Sequence, residues 1–139
     1  MAKSTSLNVT QQIEFAAGQI LPADTTTKKT LYTASSDDAV LKSLMATSTD
    51  TAAMNVALYV NDGTADRLIG TVNVPALSGS NGTAAAVDLL SGTAMPGLGF
   101  DQNGKRILSL KNGAILKAAV LVTVTAAKQI DILGVVEEY

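Results

Sequence analysis

Apolar and polar residues alternate through the last third of the chain. Leu116, Ala118, Val120, Val122 and Val124 occupy every second position, and Ile130, Ile132, Gly134 and Val136 do so again after a short polar break. A strand points successive side chains to opposite faces, so period two marks a strand with one buried face. The two runs, joined by residues 125–128, predict an antiparallel hairpin that closes the fold. Earlier in the chain Met54, Val56, Leu58 and Val60 alternate with Asn55, Ala57 and Tyr59. Asn61-Asp62-Gly63 then supplies residues that tolerate positive φ, as tight turns between strands require. Leu68, Gly70, Val72 and Val74 follow on one side of a returning strand, which predicts a second hairpin.

The remaining segments are shorter. Residues 30–35, rich in Thr with Leu31 and Tyr32, predict a strand. Residues 39–48 predict another, but Val40, Leu41, Leu44 and Met45 fall on both parities. A bulge or burial on both faces gives that pattern, and a helix over 38–46 competes with it, since Leu41, Leu44 and Met45 also fit helical spacing. Residues 76–83 are a Ser-, Gly- and Asn-rich surface loop, and 87–90 a single helical turn or brief strand. Asp101-Gln102-Asn103-Gly104 is a turn before a strand over 105–110 with Leu108 and Leu110 inward. Lys111-Asn112-Gly113 turns the chain into the final hairpin. Seven or eight short strands without strand–helix alternation predict an all-β, single-domain antiparallel sandwich or barrel, with the sandwich as the expectation. Residues 1–29 lack sustained periodicity, and Pro22 interrupts what there is. They are expected to form an extended N-terminal arm, in which Leu7 and Val9 could start a short strand and Ile13 with Phe15 continue one, before a sandwich domain at 30–139.

The bulk numbers narrow the function. A chain of 139 residues fits one domain. Charged residues are 16% of it, below the roughly 25% typical of soluble domains, and the net charge is −2. No basic field is present to hold a phosphate backbone, so no nucleic-acid partner is expected. No apolar run approaches the ~18 residues of a membrane span, so no membrane partner is expected either. Residues 1–10 hold one Lys and no apolar stretch, unlike a secretory signal, which favours synthesis in a cytoplasm. Alanines at inferred inner positions (Ala46, Ala57, Ala86, Ala118) suggest a thin core. Partner subunits would add stability to such a domain by mass action.

The inventory of reactive side chains points away from catalysis. His and Cys are absent, which excludes a Ser-His-Asp triad, disulfides and thiolate zinc sites. Of the carboxylates, Asp62 and Asp101 sit in turn sequences where Asp serves the backbone, and Asp88 suits a short cap. Asp101 begins a sequence like a calcium loop, but Arg106 and Asn112 stand where the loop needs Gly and Glu. No enzyme activity, cofactor or metal is expected.

Several segments together resemble a known family. They are Thr30-Leu31-Tyr32-Thr33; Ala46-Thr47-Ser48-Thr49-Asp50; V-A-L-Y-V-N-D-G at 56–63; L-I-G-T-V-N-V-P-A at 68–76; V-D-L-L-S-G-T-A-M-P-G at 87–97; and L-x-L-x-x-G-x-x-L at 108–116. Over about residues 27–139 the chain resembles the small structural proteins of tailed bacteriophages, in particular head decoration (cement) proteins. The resemblance implies a non-enzymatic virion protein with a jelly-roll-like β-sandwich. It implies a homo-oligomer, trimer or dimer, that binds the major capsid protein on the capsid exterior and braces the shell. A tail or neck component is the nearest alternative, and a carbohydrate- or host-binding module a more distant one that lacks an aromatic platform. The N-terminal segment has no counterpart in the resemblance. Its scattered anchors Leu7, Val9, Ile13 and Phe15 are the expected capsid or subunit contacts, through ordering of residues 4–17 against a neighbour.

Overall fold

The structure is a computed structural model and describes residues 12–35 and 38–139. Ten strands are present among them: β1 (Gln12–Ile20), β2 (Lys29–Thr33), β3 (Ala39–Ser48), β4 (Met54–Asn61), β5 (Asp66–Val74), β6 (Val87–Asp88), β7 (Gly99–Phe100), β8 (Arg106–Leu110), β9 (Ile115–Val120) and β10 (Ile130–Glu138). One 3-10 turn, Pro22–Asp24, follows β1. Every pairing is antiparallel. Sheet A runs β1-β10-β3-β8-β7, with β6 also on β3, and sheet B runs β2-β9-β4-β5. The two sheets pack face to face, so the fold is the expected all-β sandwich. Its eight longer strands pair in nested order: β1 with β10, β2 with β9, β3 with β8 and β4 with β5.

The core lies between the sheets. Ile20 of β1, Leu41 and Leu44 of β3, Val56 and Leu58 of β4, Leu116 of β9 and Ile130 of β10 are all fully buried there. Ala46 and Ala118 are buried with them, whereas Ala86 is exposed. Leu89 and Met95, from the long crossing after β6, fill the same interior.

Alternation identified the strands but not their neighbours. The expected closing hairpin is a correction: β9 lies in sheet B and β10 in sheet A. Both runs bury one face because they face each other across the core, and residues 121–129 carry the chain from one sheet to the other. Period two reports which face is buried, and paired strands and opposed strands satisfy it equally. Lys111-Asn112-Gly113 likewise moves the chain between sheets, with Gly113 at φ 86°. β9 ends at Val120, which leaves Val122 exposed, while Val124 turns back inward. The hairpin of β4 and β5 forms as expected.

Among the described residues three register shifts alter the parity, one in β2 between Thr30 and Tyr32 and two more in β3 and β5. The β10–β3 register passes from Val135↔Ser43 to Val136↔Leu41, so Lys42 is the extra residue. This is why apolar residues of β3 fall on both parities, and it disposes of the helix over 38–46. Opposite the bulge a Cβ on Gly134 would stand 2.3 Å from the Ser43 carbonyl oxygen, so the position admits only glycine without rearrangement. In β5 the register passes from Leu58↔Gly70 to Tyr59↔Leu68. Ile69 is the extra residue and packs against the core, while Leu68, expected inside, is 59% exposed.

Among the described residues of the N-terminal segment, β1 is a full strand of sheet A where the sequence suggests an extended arm. Gln12 through Ile20 pair with β10 along an unbroken register, and Ala16 and Ile20 are buried. Residues 87–88 are a brief strand, and the helical turn falls at Pro22–Asp24 instead.

Candidate interaction surface

Side chains at odd positions of β1 and β10 point away from the core. The registers then build cross-strand rows on the outer face of sheet A. One row is Phe15, Val135 and Ser43; the next is Ala17, Leu133 and Met45. Phe15 is 65% exposed, Leu133 43% and Met45 45%. Ile13, 63% exposed, lies beside Phe15 on the same face, opposite Glu137. Gln19 and Asp131 close the far side, with the Gln19 amide donating to the Asp131 carboxylate at 3.1 Å. The result is an apolar band across three paired strands with a polar border. Contiguous exposed apolar area of this kind marks interaction sites, whereas single exposed residues carry no such meaning.

A hollow of about 170 Å³ opens in the band, lined by Met45, Leu133, Gly134 and Val135 and bounded by Asp88 and Lys105. Ligand pockets commonly span roughly 300–1,000 Å³, so this one suits a protruding side chain better than a metabolite.

Ile13 and Phe15, expected as contacts from the sequence, fall inside this band; Leu7 and Val9 lie outside the described residues. Met45, Leu133 and Val135 escaped sequence reasoning, since only the β1-β10-β3 pairing brings them together. Leu133 and Val135 did carry a signal: apolar residues on the second parity of a strand whose first parity, Ile130, Ile132 and Val136, already fills the core.

The carboxylates are occupied by structure. Asp62 accepts the Thr64 and Ala65 amides at 3.0 Å and the Arg67 guanidinium at 3.0 Å, which hold its carboxyl far below the usual range. Asp101 accepts the Asn103 and Lys105 amides at 2.9 Å, and Asp88 the Leu90 amide at 2.9 Å. Asp66 accepts from Asn61 at 2.9 Å and pairs with Lys117 at 3.1 Å and Lys28 at 3.2 Å; these contacts lower its pKa to about 2. Between the sheets the Tyr32 hydroxyl donates to Glu138. Burial first, and then that hydrogen bond, push the Tyr32 phenol well up. Among the described residues no group of three or more acidic side chains is arranged to hold a metal ion.

Compared with family models, curated proteins and solved structures, the chain matches none of them.

Proposed function

We propose that this protein is a non-enzymatic structural component of a tailed-phage virion: a head decoration, or cement, protein that binds the outer surface of the capsid and stabilises it. Its partners are the major capsid protein and further copies of itself, and its place is the capsid exterior. The observation that carries the reading is the apolar band on sheet A. It is exposed and spans three paired strands, and its hollow of about 170 Å³ suits a protruding side chain of another protein rather than a small ligand. A brace repeated over a lattice needs only modest contacts at each site, because multivalency raises retention. The nested pairing of the eight longer strands is the order expected of a jelly roll, an architecture used by viral capsid domains. The resemblance at residues 27–139 points the same way.

Binding to undecorated capsids tests the proposal. Purified protein should co-sediment with them to saturation, and electron microscopy should place its density on the outer shell. A Met45→Glu/Leu133→Glu variant puts two charges in the band, away from the β1 edge, and should lose most of its occupancy. Undiminished occupancy would move the contact to another face. Density at the tail would favour the tail-component reading, and absence of the protein from purified particles would end the virion reading.

A further inference from the structure

The four sheet edges are not alike. An edge strand offers a row of unpaired N–H and C=O groups, and proteins guard such rows with charge, bulges, proline or extreme shortness. β2 is five residues long, begins with Lys29 and carries a register shift between Thr30 and Tyr32. β5 is bulged and begins with Asp66 and Arg67. The far side of sheet A ends in two-residue strands, and Arg106 covers Phe100 of β7 at 3.9 Å. Among the described residues β1 has no bulge, no proline and no shortness to guard it. It is nine residues long, pairs with β10 without a shift, contains no Lys, Arg or Pro, and has Glu14 as its one charge. Among the described residues β10 is its one strand neighbour.

β1 is also complementary to itself. About a two-fold axis at Ala16, the middle of the strand, the whole length overlaps and outward side chains meet outward side chains. Phe15 then lies across from the second copy's Ala17, large against small, and Ile13 across from its Gln19. Glu14 meets Gly18, so no like charges oppose. The row Met45, Leu133, Ala17 continues directly into Phe15 and Val135 of the second copy, and the symmetric row does the same. The nearest outer-face charges, Glu137 on one copy and Asp131 on the other, stand three strand spacings apart, on the order of 14 Å.

We propose that β1 of one copy pairs antiparallel with β1 of a second copy about a two-fold axis at Ala16, joining the two A sheets into one continuous sheet whose apolar band crosses the seam. Backbone hydrogen bonds supply the attraction, as in other strand additions, and the Phe15–Ala17 contacts fix the register. Such an interface is isologous and closes at two copies. It concerns the isolated protein and stands whether or not the partner of the band is a capsid.

Light scattering coupled to size exclusion reads it directly. The wild type should run at twice the 14.2 kDa chain mass at high micromolar concentration. Phe15→Lys places two cations near the seam and should give the monomer mass with an unchanged circular dichroism spectrum. Leu68→Lys, an equally exposed position on β5, should remain a dimer. Hydrogen exchange on the wild type gives a second reading that needs no variant: β1 amides should gain protection as concentration rises, and β5 amides should not. A wild-type monomer, a trimer, a dimeric Phe15→Lys, or β1 exchange independent of concentration would each overturn the proposal.

Discussion

Asp50 is fully buried, yet it is charged, and the sequence gives it no obvious partner. In the structure it joins three connections at one end of the sandwich. Its carboxylate accepts the Thr125 amide at 2.8 Å, the Thr125 hydroxyl at 2.9 Å and the Ala52 amide at 2.9 Å. Its carbonyl accepts the Leu77 amide at 2.9 Å. The carboxylate therefore ties the β3–β4 connection to the crossing between β9 and β10, the segment that takes the chain from sheet B to sheet A. Burial alone pushes the carboxyl up. The Ala52 and Thr125 donors, helped by the charge of Lys128, outweigh it and hold the pKa below the ordinary value.

Asp50→Ala leaves three donors without their acceptor and the backbone contact from Leu77 in place. A hydrogen bond to a charged group contributes about 1.5–3 kcal/mol, but the three share one acceptor and are not additive. Water can reach some of the stranded donors once the connection loosens, so the expected loss is about 3–5 kcal/mol. Native domains have about 5–15 kcal/mol in hand, so the variant should fold with much reduced stability. With a urea m-value of about 2 kcal/mol/M, the unfolding midpoint should fall by roughly 2 M. Asp50→Asn keeps the volume and one acceptor oxygen, and should fall between the two. Urea unfolding followed by circular dichroism measures all three proteins. A midpoint for Asp50→Ala indistinguishable from wild type would refute the reasoning, since the connections would then hold without their common acceptor.

Two further outcomes follow from burial and charge. Val120→Asp should prevent folding, because Val120 is 1% exposed within the hydrophobic core, where a carboxylate loses its hydration, whereas Leu121→Asp, at 52% exposure, should be tolerated; equal effects in a thermal melt would mean that the assigned facing is wrong. Acid should destabilise the protein through Asp66 and Asp50: both have folded pKa values below the unfolded carboxylate value of about 3.9, so their contribution is intact above that pH and is lost as pH falls, for Asp66 through about 2. The stability gap between wild type and Asp50→Ala should accordingly narrow below about pH 4, and a gap that stays constant down to pH 2 would contradict the assignment.

The buried faces of the strands were legible, because β4, β9 and β10 each show period two over most of their length. Pairing was not, because period two is indifferent to which strand lies alongside, and so β9 and β10 read as a hairpin when they are opposed across the core. The bulges were half legible. β3 betrayed its extra residue by placing Leu41 and Leu44 on opposite parities. β5 did not, since Leu68 and Ile69 are equally apolar and only the register shows which one turns inward. Of the interaction surface, Ile13 and Phe15 stood out as apolar residues in a polar stretch. Their neighbours Leu133 and Met45 are distant in sequence and become neighbours only through the two ladders of β10. Asp50 could not be read at all, since its acceptor role depends on a loop 75 residues away.

The two outer faces of the sandwich differ, and the difference gives the molecule a direction. On sheet B, Tyr59 pairs with Lys117 across the ladder, Lys28 lies 4.3 Å above the Tyr59 ring, and both lysines reach Asp66. Asn73 donates to Asn55 at 3.0 Å on the same side, and Leu68 is the one large exposed apolar side chain on its strands. That face is built for water. On sheet A the corresponding positions are Ile13, Phe15, Leu133 and Met45, and the band they form reaches a nine-residue edge whose one charge is Glu14. Antiparallel sheets readily carry a solvated outer face, so nothing in the fold requires sheet A to be apolar there. The same backbone would accept Thr or Lys at each position, and exposure of the band and its edge together invites association. The sandwich therefore has one polar and one apolar outer face, and the capsid contact proposed above would set sheet A toward the partner and sheet B toward solvent. The capsid and β1-seam tests probe separate parts of that apolar face: Met45 and Leu133 in its interior, and Phe15 at its margin.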